Sequence, residues 1–436
     1  MHHNSKILKQ FDYDLDHLVE SHPNSDLSCG SEFRPISILA PLLHRHHHWD
    51  NFSSYCTSGF NASFKPLSES QRLKDVNAAI ARGNHKSAKK HINILRKNTK
   101  KEIYTGFIFP FKINDVKKIK GAMVAPQGVA VQDTINELGE IVPKHRPTCD
   151  QSFEFSPGNS VNKLLRKDLL PGLCYGHCLL RILHCIHALR TIDLNRPILI
   201  SKLDFKSAYR RGTMKGELAA KSIMILCGFA LLLRCLPFGG SHCPNLWCVV
   251  SEFVTDLAND LLSCEDWNEN EIFSPHIDKL APPDILDSAI PFTQAKPADA
   301  SVQVSDHGCA DIFIDDIITV GFHSKRWRRL CGATLLALHM FGRPAHENEP
   351  VPRNDLVALN KLLAAGSPSE IKTVLGWDID TRRLLVSLPD DKFEEWCAQI
   401  QKAIDSKSIS PSDLESLIGR LNHAAFVIPL SRHYLN

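Results

Sequence analysis

The sequence predicts an α+β fold, and three observations support this prediction. The 436 residues include 43% hydrophobic and 23% charged residues, which is an ordinary globular composition. Apolar stretches near 197–204 and 310–321 have the length and β-branched content of buried strands. Other segments have the 3.6-residue period and the capping residues of helices. We therefore expect two to four domains with substantial cores, and not a collagen-like, disordered or disulfide-scaffold protein.

Residues 1–70 are polar and irregular, and we expect an extension with little structure of its own. Its most unusual feature is a group of four histidines, His44, His46, His47 and His48. We interpret these as a solvated tract because no cysteine or carboxylate lies at zinc-ligand spacing beside them. A metal site remains the alternative.

The chain shows no signal for export or for a membrane. Its start lacks the basic residues and apolar stretch of a secretory signal, and no apolar run approaches the roughly 20 residues that span a bilayer. Fourteen irregularly spaced cysteines predict reduced thiols and no framework of disulfides. We expect an intracellular protein, in the cytoplasm or nucleus, with no transmembrane segment.

A capped helix followed by a basic segment comes next. Ser68 and Gln71 form a capping box, and Gly83 ends the predicted helix. The segment 82–120 then contains twelve Lys or Arg against only Glu102 and Asp115, although the whole chain carries a net charge of +3. Such a basic face fits phosphate binding, for which we select Lys89, Lys90, Arg96 and Lys97; a solvated helix surface is the alternative.

Strands are predicted over 106–152, with a hairpin turn at 136–139, and helices near 175–190 and 245–262. The segment 264–308 then changes in composition, because it holds nine acids, two lysines and five prolines. We interpret it as an irregular acidic insertion that a nucleic-acid groove would exclude. Beyond it we expect a helix near 324–341, a hairpin near 374–388 and two final helices that begin at Asp390 and Ser410.

Carboxylates at the ends of apolar strands indicate the chemistry. Asp315 and Asp316 interrupt an otherwise apolar strand pair, and Asp204 ends the strand near 197–204. Burying ionised carboxylates without partners costs several kcal/mol each, so a cation is expected beside them. With no His or Cys partner, the group suits Mg²⁺, and two such ions would organise an in-line phosphoryl displacement. The alternative for the Asp-Asp pair is an ordinary hairpin turn.

The order of these motifs resembles the polymerase core of reverse transcriptases from LTR and tyrosine-recombinase (DIRS-like) retrotransposons. The resemblance runs from about Phe107 to Leu388. Its elements in this chain are strand-Asp204-x4-Tyr209, L-P-F-G-x4-P at 236–244, F-I-D-D at 313–316 and a late L-G-W hairpin at 375–377. It implies a right-hand polymerase fold with fingers, a mixed-sheet palm and a partial helical thumb.

The resemblance also implies roles for individual residues. Asp204, Asp315 and Asp316, with the main-chain carbonyl of Phe205, would be the catalytic metal site for two Mg²⁺ ions, with Mn²⁺ as a substitute. The residues implied in nucleotide binding are Lys144, Arg146, Tyr209, Phe238 and Gly239. Tyr209 would be the steric gate that excludes ribonucleotides. The primer grip would be Leu375, Gly376 and Trp377.

We therefore expect an RNA-directed DNA polymerase that uses an RNA or DNA template with a primer and dNTPs. The domains would be an N-terminal extension (1–70), fingers (71–162), a palm with its insertion (163–387) and the start of a thumb (388–436). We expect no RNase H, protease, integrase or recombinase module in this sequence. A decayed retroelement copy that binds nucleic acid without catalysis is the alternative, and an RNA-templated RNA polymerase is disfavoured by Tyr209.

Overall fold

The structure is a computed structural model that describes residues 1–20, 32–135, 141–272, 274–296, 307–344, 355–406 and 408–435. It is a mixed α and β protein, as predicted. The helices of the first half are α1 (His2–Gln10), α2 (Leu15–Glu20), α3 (Ile36–Leu43), α4 (Trp49–Ser58), α5 (Glu69–Arg82), α6 (Lys86–Lys90), α7 (Ile92–Tyr104), α8 (Val161–Leu164) and α9 (Cys178–Ile192). Those of the second half are α10 (Gly216–Ala220), α11 (Cys243–Ser263), α12 (Trp327–Phe341), α13 (Leu359–Ala365), α14 (Asp390–Ser406) and α15 (Pro411–Val427).

Eleven strands are described, and they form four antiparallel sheets. The strands are β1 (Ile108–Lys112), β2 (Gln127–Ile135), β3 (Ile141–Cys149), β4 (Ile198–Asp204), β5 (Ile223–Leu226), β6 (Phe229–Leu233), β7 (Cys309–Phe313), β8 (Asp316–Phe322), β9 (Ile371–Val374), β10 (Trp377–Asp380) and β11 (Leu385–Ser387). The sheet orders are β1-β6-β5, β2-β3, β4-β8-β7 and β11-β10-β9. The turn predicted at 136–139 lies outside the described residues, but its flanking strands β2 and β3 pair as a hairpin.

The β4-β8-β7 sheet is buried on both faces, which explains why its strands are nearly uninterrupted apolar runs. Leu199 and Ile317 face the main core, to which α11 and α12 contribute. Ile198, Ile200 and Ile318 face a second core built with α9. Because side chains alternate along a strand, apolar residues are needed on both faces. The sheet therefore packs between α11 and α12 on one face and α9 on the other.

Local helix signals predicted the structure correctly where capping residues were present. The Ser68 hydroxyl accepts a hydrogen bond from the Gln71 N–H and Gly83 caps the end of α5, as predicted. The Ser410 hydroxyl likewise accepts from the Asp413 N–H at the start of α15. Among the helices that the structure describes, none combines the length and apolar character needed to cross a bilayer.

The expectation that residues 1–70 have little structure of their own is wrong. Four helices, α1 to α4, occupy much of this segment, and Leu8 and Phe52 are fully buried in the main core. The Asn4 amide donates to the Pro110 carbonyl and the Ser5 hydroxyl accepts from the Lys112 N–H, which fastens α1 to β1. Each of these short helices places only one or two buried apolar side chains in the core, so its periodic pattern is too short to be recognised in the sequence.

One further expectation is confirmed with an addition, and another needs correction. The acidic insertion has little regular structure in its described part, as predicted, but it is docked: Ile277 is buried, and Glu269 forms an ion pair with Arg326 at 2.8 Å. The expectation of reduced thiols fails for one pair, because Cys185 and Cys309 form a disulfide between α9 and β7. The other described cysteines are free.

Candidate active site

Asp204, Asp315 and Asp316 meet at one end of the β4-β8-β7 sheet, and we call them the carboxylate site. Asp204 ends β4 and lies directly opposite Asp316, the first residue of β8, in the antiparallel register. The Phe205 N–H donates to the Asp315 carbonyl at 3.0 Å. Two strand ends that are far apart in the chain therefore bring three carboxylates together.

A tight turn presents Asp315. Phe313 and Asp316 pair at the ends of β7 and β8, so Ile314 and Asp315 form a two-residue loop. Ile314 has a φ of 58°, which is unfavourable for a β-branched residue. The Trp247 indole of α11 donates to the Ile314 carbonyl at 2.9 Å and braces this conformation. Strain of this kind is typical of functional sites, where the surrounding structure holds it in place.

Burial and mutual repulsion perturb the carboxylates. Burial, the hydrogen bond with Asp316 and the charge of Asp315 raise the pKa of Asp204 to about 7. Burial and the charge of Asp316 also raise the pKa of Asp315. The ionised forms are thus disfavoured in the absence of a cation, and perturbed carboxylates of this kind are typical of functional sites.

Lys361 is a residue of this site that sequence reasoning missed. Its ammonium group, on α13, forms an ion pair with Asp204 and lies 3.9 Å from Asp316. Burial lowers the pKa of Lys361, but the hydrogen bond to Asp204 and the carboxylate charges outweigh burial and raise it. No local pattern marks this lysine, because 157 residues separate it from Asp204.

The donor set fits a hard divalent cation. Asp204 lies opposite Asp316 across the sheet, Asp315 precedes Asp316 in the turn, and the main-chain carbonyl of Phe205 follows Asp204 directly in the chain. Mg²⁺ prefers oxygen ligands and is usually held by one or two carboxylates together with substrate phosphates. The position of the Lys361 ammonium shows that the site attracts positive charge.

Lys144 and Arg146 extend the site with positive charge. They lie two residues apart on β3, so their side chains leave the same face of the hairpin. Burial and the charges of Arg146 and Lys361 lower the pKa of Lys144, and Asp204 opposes them. The charge of Arg146 in turn opposes the rise in the pKa of Asp315. The structure therefore places both bases within electrostatic reach of the carboxylate site.

Tyr209 and Phe238 form an aromatic pair beside the carboxylates. Tyr209 lies in a 3₁₀ turn after β4, and its ring centre is 5.3 Å from that of the half-exposed Phe238. Burial, with a contribution from the charge of Asp315, raises the pKa of the Tyr209 phenol. A half-buried ring beside the carboxylate site is suitably located to restrict the shape of a ligand.

Gly239 allows the loop before α11 to approach β3 closely. The Cys149 N–H donates to the Phe238 carbonyl at 3.0 Å, and the Asn162 amide donates to the Gly239 carbonyl at 2.9 Å. Gly239 has a φ of 121°, and a Cβ atom there would collide with the Cys149 carbonyl. Only glycine satisfies both conditions, the left-handed backbone and the close approach.

We expect Gly239→Ala to lower the free energy of unfolding by roughly 2–4 kcal/mol, because it adds a steric clash to an unfavourable φ. Gly158→Ala is the matched control, since Gly158 has a φ of 81° but open space where a Cβ would lie. Urea unfolding measures both variants. Equal losses in the two would contradict the close packing of this loop on β3.

The hairpin at Leu375, Gly376 and Trp377 joins β9 to β10. Leu375 and Gly376 both have positive φ, 50° and 87°, as a two-residue type I′ turn requires. Trp377 is buried and stacks on His423 of α15 with ring centres 5.1 Å apart. An isolated β-bridge joins Ile200 of β4 to Ser369, which lies just before β9. This bridge connects the hairpin to the strand that carries Asp204.

The basic residues chosen from the sequence lie on α6 and α7. All four are exposed: Lys89, Lys90, Arg96 and Lys97. The His91 ring, at the junction of the two helices, is 4.7 Å from the His145 ring between Lys144 and Arg146. The helices therefore adjoin the hairpin that carries Lys144 and Arg146, although the four bases themselves are not part of the carboxylate site.

The raised pKa of Asp204 predicts that the stability of the fold depends on pH. The folded protein holds this proton up to about pH 7, whereas the unfolded chain releases it near pH 4. The group therefore stabilises the fold fully below about pH 4 and loses that contribution as the pH rises to about 7. Because Mg²⁺ competes with the proton, we expect MgCl₂ to raise the thermal unfolding midpoint more at about pH 8 than at about pH 6. An equal rise at both pH values would contradict this assignment.

Comparisons with known proteins add a distant likeness. No protein-family model and no curated protein sequence matches the chain. It is similar to a foamy viral protease-reverse transcriptase solved with an RNA/DNA hybrid, at 13% identity and a TM-score of 0.42, over 90% of this chain and 40% of that one. It is also similar to the dRH form of a foamy viral protease-reverse transcriptase in complex with double-stranded DNA, at 13% identity and a TM-score of 0.40, over 90% of this chain and 53% of that one. The chain thus spans about half, or less, of the length of these structures.

Proposed function

We propose that this chain is a reverse transcriptase of a retroelement, which adds deoxynucleoside monophosphates to a primer 3′-end on an RNA or DNA template. The observation that supports it best is the convergence of Asp204, Asp315 and Asp316 on adjoining strand ends. Three carboxylates, two of them with raised pKa values, suit two-metal phosphoryl transfer better than a structural ion pair. In this proposal, residues 163–387 are the palm, 71–162 the fingers and 388–436 the start of the thumb, with 1–70 preceding them.

The carboxylates would hold the metal ions and position the reacting groups. Asp204 and Asp315 would bind both Mg²⁺ ions, with the Phe205 carbonyl as a further ligand and Asp316 completing the charge. When bound, the ions supply a lower pKa for the primer hydroxyl and neutralise charge on the pyrophosphate. Lys361 would leave Asp204 as metal binds, because both compete for the same carboxylate oxygens.

The surrounding residues would hold the nucleotide. Arg146 and Lys144 face the carboxylates from β3 and would bind the triphosphate, for which the arginine fork offers two parallel hydrogen bonds. Tyr209, supported by Phe238, would exclude a ribose 2′-hydroxyl. Gly239 would let the backbone approach the nucleotide and the template base closely, as it already approaches Cys149.

The primer and template would be held at two further places. The positive-φ turn at Leu375 and Gly376, anchored by Trp377, would hold the primer terminus through its backbone. The exposed bases of α6 and α7 would contact phosphates: Lys89, Lys90, Arg96 and Lys97. The acidic insertion docks through ion pairs of Glu269 with Arg326 and of Asp278 with Arg328, and these arginines offset part of its negative charge.

Primer extension tests the proposal. The purified chain, a primed RNA template, Mg²⁺ and dNTPs should produce elongated DNA, and omission of Mg²⁺ should abolish it. Salt-sensitive binding of the primed template without incorporation would instead support the decayed, binding-only alternative. Incorporation of ribonucleotides in preference to deoxynucleotides would support the RNA polymerase alternative and overturn the assignment of Tyr209.

A further inference from the structure

A second group of metal-ligating side chains lies away from the carboxylate site. It joins the histidine tract before α4 to the middle of α11. His46 faces Asp256, with 2.7 Å between Nε2 and Oδ2. His48 and His47 both face Glu252, with distances from Nε2 to Oε2 of 2.8 Å and 3.8 Å.

Three of these side chains have the spacing of a metal site. His47, His48 and Glu252 each offer one ligand atom, and these atoms lie within 4.8 Å of one another. Ligand atoms about 2.0–2.2 Å from a tetrahedral zinc ion are about 3.3–3.5 Å apart. The observed 2.8 Å and 3.8 Å bracket that separation, so small side-chain rotations suffice to admit an ion.

Glu252 is buried in a way that its recorded partners do not fully satisfy. Its side chain is only 10% exposed, and its Oε1 atom has no hydrogen-bond partner among the described residues. Within the described residues its ion pairs are with His47 and His48, and the uncharged thiol of Cys174 also interacts with it. A buried carboxylate with one oxygen unpartnered lacks full compensation, which a divalent cation would supply.

His46 orients the group. Its Nδ1 accepts the His48 backbone N–H at 3.1 Å, so its Nε2 carries the proton donated to Asp256. Its ring stacks on the rings of His47, at 4.3 Å, and Phe253, at 3.9 Å. With both of its nitrogens engaged, His46 holds the tract in place and leaves His47 and His48 to ligate.

We propose that His47, His48 and Glu252 bind a zinc ion that clamps the N-terminal helices to α11. Two imidazoles and one carboxylate are a ligand set that zinc uses, and they differ from the all-oxygen carboxylate site. The zinc ion would also restrain the helix that supports the β7-β8 turn, because Trp247 on α11 donates a hydrogen bond to the Ile314 carbonyl in that turn. This inference does not depend on the polymerase proposal.

Cobalt binding to the full chain tests the site, since Co²⁺ substitutes for zinc and absorbs visible light. The chain is first stripped with a chelator and then titrated with Co²⁺ in a background of Asp315→Asn and Asp316→Asn, which disables the carboxylate site. We expect one Co²⁺ per chain, and a weakening of at least ~10-fold in Glu252→Gln and in His47→Ala. The exposed His47 makes the second variant safe for folding.

His44→Ala is the matched control. It removes a histidine of the same tract whose recorded ring contact is with the Ala40 carbonyl, and it should bind Co²⁺ like the parent. Zinc should also raise the thermal unfolding midpoint of the parent and leave that of His47→Ala unchanged. Absence of Co²⁺ binding in the parent, or equal binding by His44→Ala and His47→Ala, would overturn the proposal.

Discussion

Replacing Asp315 by asparagine is expected to reduce primer extension by roughly 10³-fold or more, because a metal ion in such a site contributes several kcal/mol of charge stabilisation in the transition state. Asp315 lies at the tip of the β7-β8 turn, where partial burial and the charge of Asp316 disfavour its ionised form unless a cation is bound. Asparagine keeps the shape of the side chain and removes the charge. Steady-state incorporation of dNTPs on a primed RNA template measures the loss.

Two other variants test whether the loss is specific to the carboxylate site. Asp204→Asn should lose activity to a similar degree, since Asp204 shares the same end of the sheet. Asp266→Asn makes the same chemical change at an exposed position in the insertion and should leave incorporation unchanged. Both inactive variants should retain salt-sensitive binding of the primed template. Wild-type incorporation by Asp315→Asn would refute the two-metal assignment.

Sequence reasoning succeeded where the signal is local. The strands that end in Asp204 and begin at Asp316 are apolar on both faces, and few other environments tolerate such a composition. The helix that begins after Ser68 was predictable from its capping hydroxyl. In each case, the residues that decide the local structure lie within a few positions of one another.

The contacts that sequence reasoning missed join distant parts of the chain. Lys361 neutralises Asp204 across 157 residues, and Glu252 meets His48 across 204. The histidine tract was interpreted as solvated, with a metal site as the alternative, because no cysteine or carboxylate lies at zinc-ligand spacing beside it, yet α11 brings Glu252 within 2.8 Å of His48. Zinc-ligand spacing detects only sites whose ligands come from one short segment.

The N-terminal helices escaped prediction for a related reason. α1 to α4 are six to ten residues long, too short to be stable alone, and they depend on their neighbours: α1 packs against β1, α2 against α10, α3 against α4 and α4 against α11. α1, α2 and α4 are also rich in polar residues, although α3 is apolar and exposes Ile38 and Leu42. An element that is stabilised by its neighbours carries little of its signal in its own sequence.

Replacing Tyr209 by alanine is expected to relax the discrimination against ribonucleotides by on the order of 10²-fold, the scale at which a pocket contact separates closely related substrates. The Tyr209 ring lies 5.3 Å from the Phe238 ring, which limits its freedom to move aside for a 2′-hydroxyl. Alanine would open that space without touching the carboxylates. The measurement is kcat/KM for matched dNTP and rNTP pairs.

The matched control is Tyr209→Phe, which removes the hydroxyl, keeps the bulk of the ring and should keep the selectivity of the parent. Because burial already raises the pKa of the Tyr209 phenol, the hydroxyl stays neutral, and the ring alone supplies the obstruction. In Tyr209→Ala, kcat/KM for dNTPs should fall only slightly, because the proposed metal ligands remain in place, whereas the ratio of kcat/KM for dNTPs to that for rNTPs should fall strongly. Unchanged exclusion in Tyr209→Ala would show that another group reads the sugar, and the half-exposed Phe238 would then be the next residue to replace.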